Sequence, residues 1–280
     1  MKQTKDVRVC VLTTDGTNCD RETVRAFQLA GANVDTVHVN SLMKRYDPVT
    51  RRSVSLDDYH ILALPGGFSH GDYAGAGKIA AVDLNHYLGY ETDRFVQSGK
   101  LIFGVCNGFQ LEAKAALLPN SDGLRKQTVS LTNNASGRFE CRWVKLSKPS
   151  ESLDRCVWTK GIDRIELPIA HGEGRFVYND EAVVEQLFSN GQVVFQYVDS
   201  DGKPSMDLAH NPSGSMRSVA AICDPTGRIF GLMPHPERYT NPHVHPQSQL
   251  QRVMSKLPSE GLGLQIFRNG VEYALENLVR

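Results

Sequence analysis

The most informative stretch of the chain places a cysteine between two glycines, in the pattern Gly-x-Cys-x-Gly centred on Cys106. An apolar run precedes it and a segment with helical character follows. This is the layout of a strand, a sharp turn and a helix that presents a catalytic nucleophile. Near a helix start, the backbone N–H groups and the helix dipole favour the thiolate, which is the attacking form of cysteine. Cys106 is therefore a candidate nucleophile, and the alternative is a buried structural cysteine.

A nucleophilic cysteine needs a base, and the histidine in the segment Met-Pro-His-Pro-Glu-Arg is the best placed one. His235 and Glu237 lie two residues apart after an apolar run, and Pro234 and Pro236 restrict the backbone around the histidine. In an extended segment these two side chains point to the same side. Glu237 can then bind one imidazole nitrogen while the other faces the thiol, which gives a nucleophile, a base and an orienting carboxylate. The alternative is a surface loop with a chance His-x-Glu.

Acyl transfer through a thiol also needs donors for the developing oxyanion. The backbone N–H of Asn107 directly follows the nucleophile, and that of Gly67 lies in a double-glycine turn where the backbone can approach a substrate closely. Gln110 lies four residues after Cys106 on the same helix face, so it can hydrogen-bond the polar end of a substrate. The alternatives are an ordinary tight turn and a surface glutamine.

Strands and helices alternate in the part of the chain that would position these residues. Apolar runs at 7–12 and 34–39 flank a helical pattern, which predicts a βαβ unit and hence a parallel sheet. A third run, at 60–64, ends at the double glycine, and the carboxyl ends of parallel strands form the edge where such sheets bind ligands. We therefore expect an α/β fold with an open, mostly parallel sheet and flanking helices.

The second half of the chain has a different pattern. Short strand-like runs separated by turn residues, between 139 and 233, predict an antiparallel β extension of the sheet. An amphipathic segment at 265–279 predicts a closing helix. Since no linker separates the halves, we expect residues 1–280 to form a single domain, with a polar excursion near 43–58 and a C-terminal extension near 241–280.

The amino-acid composition limits the classes of binding partner that we expect for the chain. The 31 basic and 31 acidic residues give a formal net charge of zero, which argues against nucleic acid or an anionic membrane as the main partner. The chain start does not resemble a signal peptide, and no apolar run reaches membrane-spanning length. The six cysteines form no CxxC pair, which favours free thiols in a reducing, cytoplasmic setting. His243 and His245 alone are weak evidence for a metal, so no metal site is predicted.

Six motifs resemble one enzyme family. The chain resembles the class I (triad) glutamine amidotransferases, whose fold is flavodoxin-like, at PGGFSHGDY (65–73), GVCNGFQ (104–110) and MPHPER (233–238). Similarity to one branch, the glutaminase component of phosphoribosylformylglycinamidine synthase of purine biosynthesis, lies at GTNCD (16–20), SGRFECRW (136–143) and IAHGEGRF (169–176).

The resemblance implies a reaction and a set of roles. L-Glutamine would be hydrolysed to glutamate and ammonia through a cysteinyl thioester. The implied residues are Cys106, His235 and Glu237 for catalysis, Gly67 and Asn107 for the oxyanion, and Gln110, His171 and Gly172 for substrate binding.

The resemblance also implies that ammonia passes to a separate large synthetase subunit, which would use ATP and Mg²⁺ to make the amidine. It leaves open whether a small subunit bridges the complex. The chain itself carries no P-loop and no dinucleotide fingerprint, so no cofactor is expected on it. Two alternatives remain at this point: a free-standing cysteine amidohydrolase of the same fold, and a non-catalytic scaffold subunit.

Overall fold

The computed structural model describes residues 2–150 and 152–279, and its central element is a nine-stranded sheet. The strands are β1 (Arg8–Thr13), β2 (Asn33–His38), β3 (Tyr46–Asp47), β4 (Arg52–Ser53), β5 (Ile61–Leu64), β6 (Leu101–Val105), β7 (Val129–Thr132), β8 (Glu140–Ser147), β9 (Arg164–His171), β10 (Arg175–Tyr178), β11 (Val193–Tyr197), β12 (Val219–Cys223) and β13 (Ile229–Leu232). The helices are α1 (Asp20–Leu29), α2 (Val39–Lys44), α3 (Lys78–Tyr87), α4 (Gly89–Gln97), α5 (Asn107–Lys114), α6 (Glu181–Ser189), α7 (Ser248–Val253) and α8 (Leu264–Asn277).

The strand order in the large sheet is β2-β1-β5-β6-β13-β12-β11-β8-β9. The first five strands are parallel, and the remaining four add antiparallel neighbours. The predicted α/β class with an antiparallel extension is thus confirmed. The strands β12 and β13 form an antiparallel hairpin as part of the expected extension, but the other side of β13 pairs in parallel with β6, which was not predicted.

The position of β13 matters for the site. Because β6 and β13 are parallel neighbours, their carboxyl ends lie at the same edge of the sheet. The residues that follow the two strands, Cys106 and the segment containing His235, are therefore brought together from distant parts of the sequence.

Helices cover both faces of the sheet. Phe103 of β6 contacts Phe27 of α1 and Phe267 of α8, with ring centroids 6.1 and 5.2 Å apart. On the next residue of β6, Gly104 faces the α5 side chain of Glu112. Because successive strand residues point to opposite faces, α1 and α8 lie on one face and α5 on the other.

Two segments are more regular than expected. The excursion near 43–58 contains the two-stranded ribbon of β3 and β4. The segment at 241–263, expected to be irregular, contains α7. The helix α6 was not predicted from the sequence. It begins after Asp180, whose side chain accepts a hydrogen bond from the N–H of Ala182 at 3.0 Å.

Within the described residues, the helices are all too short or too polar to cross a membrane.

Candidate active site

The turn between β6 and α5 holds Cys106 in a backbone conformation that L-residues rarely adopt, with φ 53° and ψ −106°. Close packing requires glycine at positions 104 and 108, two residues before and two residues after Cys106. A Cβ on Gly108 would lie 1.9 Å from the carbonyl oxygen of Leu64, and one on Gly104 would lie 2.3 Å from a carboxylate oxygen of Glu112. The Gly-x-Cys-x-Gly pattern therefore reflects close approach of strand and helix, and it fixes the thiol at the edge of the sheet.

His235 follows β13 and pairs with Glu237. Its Nδ1 lies 2.5 Å from Oε1 of Glu237, and both side chains are buried. The backbone N–H of His235 donates to the carbonyl oxygen of Pro168 at 2.8 Å, which anchors the segment to β9. The sequence predicted an extended backbone here. Instead, Pro236–Arg238 forms one 3-10 turn, and this turn brings the two side chains together.

The electrostatics of His235 favour its protonated form. Burial opposes the charge, but the carboxylate of Glu237 and the thiol of Cys106 outweigh burial and raise the pKa of His235 well above its usual range. Since Glu237 occupies Nδ1, Nε2 is the nitrogen left for the thiol. A protonated imidazole favours the neighbouring thiolate. The arrangement can take a proton from a thiol and return it to a leaving group.

Two backbone N–H groups near the thiol are available to a substrate. The carbonyl of Gly66 accepts hydrogen bonds from the N–H groups of Asn18 and Cys19 at 3.4 and 3.1 Å, which fixes the double-glycine turn. Gly67 has φ 148°, and a Cβ there would lie 2.8 Å from the backbone nitrogen of Asn18. Within the described ranges, no acceptor binds the Gly67 N–H. Asn107 occupies the first position of α5, where an N–H has no partner within the helix.

Comparison with known proteins agrees with this geometry. The family described as the CobB/CobQ-like glutamine amidotransferase domain matches residues 6–274. The chain belongs to this family. A relative from Dehalococcoides mccartyi, named phosphoribosylformylglycinamidine synthase subunit PurQ, is 43% identical over 96% of this chain and 98% of its own length. A relative of the same name from Methanococcus maripaludis is 43% identical over 95% of this chain and 97% of its own.

A solved structure shows the same fold. The structure described as PurLQS from Thermotoga maritima aligns with a TM-score of 0.69 and 31% identity, and the alignment covers 98% of this chain and 99% of that one. Because nearly the whole chain is aligned, the likeness extends over the antiparallel strands as well as over the parallel part of the sheet.

In this amidotransferase, Gln110 links α5 to two segments of the cavity wall. Its Oε1 accepts a hydrogen bond from Nδ2 of Asn107 at 2.9 Å, and its Nε2 donates to the carbonyl oxygen of Glu173 at 2.6 Å. Asn107 Nδ2 also donates to Oδ1 of Asp72 at 3.1 Å. Direct binding of a substrate by Gln110 stays a prediction, because these contacts already use both ends of its amide.

His171 is neutral in this environment. Burial first, and then the nearby His235, lower the pKa of His171 to about 3. Its Nδ1 lies 3.1 Å from Oδ1 of Asn134, whose Nδ2 donates to the carbonyl oxygen of His171 at 2.8 Å. Because Asn134 Oδ1 can only accept, Nδ1 carries the proton and Nε2 is a hydrogen-bond acceptor.

One cavity of about 510 Å³ joins most of the predicted residues. Its lining includes Cys106, His235, Gly67, Gln110, His171 and Gly172. Glu237 lies behind His235, and the side chain of Asn107 lies behind Gln110. The lining also includes Glu173, which belongs with His171 and Gly172 to the loop that the resemblance implies for the glutamine pocket. Three further lining residues had no predicted role: Cys19, Asp72 and Arg238. All three fall within the motifs that resemble the family, which was the available signal.

The site does not suit a metal ion. Ligand atoms of Cys19, His235 and Glu237 lie within 4.8 Å of one another. However, Nη2 of Arg238 lies 3.0 Å from the sulfur of Cys19, and Glu237 is bonded to the imidazole. A guanidinium at this distance repels a cation, so the donor set favours proton transfer and not metal binding.

Proposed function

We propose that this chain hydrolyses L-glutamine to glutamate and ammonia and delivers the ammonia to a partner synthetase, which makes phosphoribosylformylglycinamidine in de novo purine biosynthesis. One observation carries the proposal. Cys106 lies on the strained turn between β6 and α5, and it shares a cavity with His235, which is buried and paired with Glu237. The chain around it is 43% identical, over nearly its whole length, to proteins named PurQ subunits.

The residues act in a defined order. Cys106, whose proton has already passed to His235, attacks the carbon of the glutamine side-chain amide as a thiolate. The N–H groups of Gly67 and Asn107 stabilise the oxyanion. His235 then protonates the departing nitrogen, so ammonia leaves and a γ-glutamyl thioester remains on Cys106. The same histidine activates water, which releases glutamate. Glu237 holds the imidazole in its productive tautomer and stabilises its charge.

The ATP-dependent step belongs to a partner in this proposal. The relatives are named as subunits, and the similar Thermotoga structure is described as PurLQS. We assign ATP and Mg²⁺ to the large synthetase partner, and we assign a bridging role to a small third protein.

We place the complex in the cytoplasm. We treat residues 1–280 as a single amidotransferase domain, which the family match over residues 6–274 supports.

Release of glutamate from glutamine tests the function. The purified chain is assayed alone and with the synthetase from the same source, as wild type, as Cys106→Ala and as Cys156→Ala. Cys156 is a free, buried thiol that does not line the cavity, so it controls for the loss of a thiol. We expect release that the partner stimulates, that persists in the Cys156 variant and that disappears in the Cys106 variant.

Added ammonia separates catalysis from assembly. With the Cys106→Ala variant in the complex, ammonia should still support amidine formation, because the synthetase site is intact. Vigorous release without a partner would favour a free-standing hydrolase. Amidine formation from glutamine by the Cys106→Ala complex would show that the nucleophile is wrongly assigned.

A further inference from the structure

Cys19 and Arg238 line the amidotransferase cavity and have no part in the steps above. Cys19 is 1% exposed and lies in the loop between β1 and α1, whereas Arg238 ends the 3-10 turn that follows His235. The two residues are 219 positions apart in the chain, and Nη2 of Arg238 lies 3.0 Å from the sulfur of Cys19. Their contact therefore joins two separate loops of the cavity wall.

The strand order explains why a contact between these loops matters. Gly67 follows β5 and His235 follows β13, and β6, which leads to Cys106, lies between those two strands. Because neighbouring strands lie about 4.8 Å apart, β5 and β13 are about 10 Å apart with the nucleophile between them. The amide of the substrate must fit into this gap. The width of the gap determines whether the base and the oxyanion donor reach the same tetrahedral intermediate.

The backbone of Cys19 fixes one side of the gap. Its N–H donates to the carbonyl oxygen of Gly66 at 3.1 Å, directly before the predicted oxyanion donor Gly67. Its carbonyl oxygen accepts hydrogen bonds from the N–H and the hydroxyl of Thr23 on α1, at 3.1 and 2.7 Å. Cys19 is therefore anchored to α1 and holds the double-glycine turn in place.

The side chain of Cys19 contacts the other side of the gap. Its S–H donates to Oδ1 of Asn18 at 3.3 Å, and its sulfur accepts from Arg238. Within the described ranges, this sulfur is the one hydrogen-bond acceptor of the Arg238 side chain, which forms no ion pair there. A guanidinium can only donate, so a half-buried one that loses its acceptor is left unsatisfied. The contact therefore restrains the turn that follows His235.

The catalytic groups and Cys19 surround the missing side chain of Gly66. A Cβ at this position would lie 2.9 Å from Cε1 of His235, 3.2 Å from the sulfur of Cys19 and 3.4 Å from Cβ of Cys106. The sulfur of Cys19 also lies within 4.8 Å of a ring nitrogen of His235. Cys19 thus packs against the double-glycine turn and against the histidine, in addition to its hydrogen bond with Arg238.

We propose that Cys19 is a positioning residue, which links the double-glycine turn to the segment carrying the catalytic base through its hydrogen bond with Arg238. This role rests on the proposed glutaminase function, and it adds a determinant of how the base and the oxyanion donor are placed around the substrate. Without the link, the two loops can move apart. Attack on the amide should then slow although the thiolate of Cys106 still forms.

The first test separates this geometry from the reactivity of the thiol, in the assembled complex. Acylation by glutamine forms an oxyanion, whereas alkylation by iodoacetamide does not. In Cys19→Ala, kcat/KM for glutamine should fall by about 10- to 100-fold, as expected for a displacement of about 1 Å. Alkylation of Cys106, followed by peptide mass spectrometry, should slow by less than about threefold. Equal losses in the two reactions would indicate a merely structural role and would overturn the proposal.

The matched control for this variant removes another buried thiol. Cys156→Ala, whose side chain lies outside the cavity, should match the wild type in both reactions. Cys19→Ser keeps a group that can both donate and accept, so it should retain kcat/KM within about threefold of the wild type. A Cys19→Ser variant as poor as Cys19→Ala would contradict a role based on the hydrogen bond.

A double-mutant cycle tests the contact itself. Arg238→Gln should also lower kcat/KM by about 10- to 100-fold, and Arg252→Gln, at an exposed position on α7, should not. Because both cavity variants remove the same link, the double variant should be no worse than the poorer single variant. Losses that multiply in the double variant would show that the two residues act independently, which would overturn the proposal.

The outcomes for the two proposals can be distinguished. If the wild-type complex releases no glutamate, the proposed function fails. If it releases glutamate and Cys19→Ala does so at the wild-type rate, only the positioning role fails. Circular dichroism of each variant ensures that equal amounts of folded protein are compared.

Discussion

At the scale of single residues, we expect the hydrogen bond between His235 and Glu237 to control the reactivity of Cys106. Glu237→Gln keeps the side-chain shape and removes the charge that holds the pKa of His235 high. The imidazolium that stabilises the thiolate would then be lost at a lower pH. We expect glutamate release to fall by about 100- to 10,000-fold, by analogy with other triads that lose their carboxylate. The rate of Cys106 alkylation by iodoacetamide near pH 7 should fall as well.

The chain offers a matched control for this variant. Glu166 lies 3.4 Å from Nε2 of His245, so it forms a second carboxylate–histidine contact outside the cavity. Glu166→Gln should leave both glutamate release and the pH profile of alkylation unchanged. An unchanged alkylation profile in Glu237→Gln would contradict the electrostatic role given to that residue.

The burial of Glu112 leads to a prediction of how the free energy of unfolding depends on pH. Its carboxylate is fully buried on α5, has no hydrogen-bond partner among the described residues, and has a pKa raised by burial and by Asp224 well above 4.5. A pKa that folding raises stabilises the protein below the unfolded value, and this contribution is lost as the pH rises through the folded value. Relative to Glu112→Gln, the wild type should lose up to about 1.4 kcal/mol of unfolding free energy per pH unit above 4.5.

Urea denaturation of both proteins at pH 5, 6, 7 and 8 measures this difference. Glu22→Gln, with an exposed side chain, should follow the wild type at every pH. Parallel stability curves for the wild type and Glu112→Gln would mean that Glu112 is not held neutral in the folded protein.

At the scale of elements, local patterns predicted the strands of the large sheet but missed α6, α7 and the β3–β4 ribbon, and they did not predict which strands become neighbours. The periodicity of apolar residues and the positions of glycine predict the turn between β6 and α5, the β1–α1–β2 unit and the closing helix α8. The pairing of β13 with β6 joins residues more than 100 positions apart, and no local signal encodes it. The 3-10 turn at Pro236–Arg238 was missed for a related reason, since His235 is held by a backbone bond to Pro168 that belongs to the folded state.

The positions of Cys19, Asp72 and Arg238 in the cavity wall were missed for the same reason. These residues come from three loops, and their placement on one cavity wall depends on the whole sheet. Only the resemblance of their motifs to a known family drew attention to those loops. Residue types and spacing alone predict Cys106 and His235 as catalytic candidates, because each of these residues lies in a short local motif that indicates its chemistry.

The contact of α5 with the sheet gives a prediction for an element. Gly108→Ala would place a Cβ 1.9 Å from the carbonyl oxygen of Leu64, so α5 must shift away from β5. We expect a loss of about 1–3 kcal/mol in unfolding free energy and a larger relative loss of glutaminase activity, because α5 begins with Asn107, the proposed oxyanion donor. Gly89→Ala is the control, since a Cβ at this helix start meets nothing within 4 Å. Full activity in Gly108→Ala would show that the turn carrying Cys106 tolerates a shift of α5.

At the scale of the whole molecule, the C-terminal helix is part of the central core. Phe267 of α8 packs against Phe27 at 4.9 Å and Phe103 at 5.2 Å between ring centroids, and Asn269 donates to the carbonyl oxygen of Trp158 at 2.9 Å. Phe103 lies on β6, three residues before the nucleophile. The helix that closes the chain therefore supports the strand that carries Cys106.

This arrangement predicts a single cooperative unfolding transition, as expected if the chain is one domain. Trp158 reports on the α8 side of the sheet and Trp143 on the antiparallel side, while protection of the buried Cys10 from iodoacetamide reports on β1 in the parallel part. In wild type, tryptophan fluorescence, circular dichroism and protection of Cys10 should change at the same urea concentration. Phe267→Ala should lower the unfolding free energy by about 3–5 kcal/mol and move all three transitions together, because the lost ring leaves a cavity in the shared core. Loss of the α8 signal in this variant, with Cys10 still protected and the antiparallel strands still folded, would show that the closing helix and the large sheet are separate cooperative units.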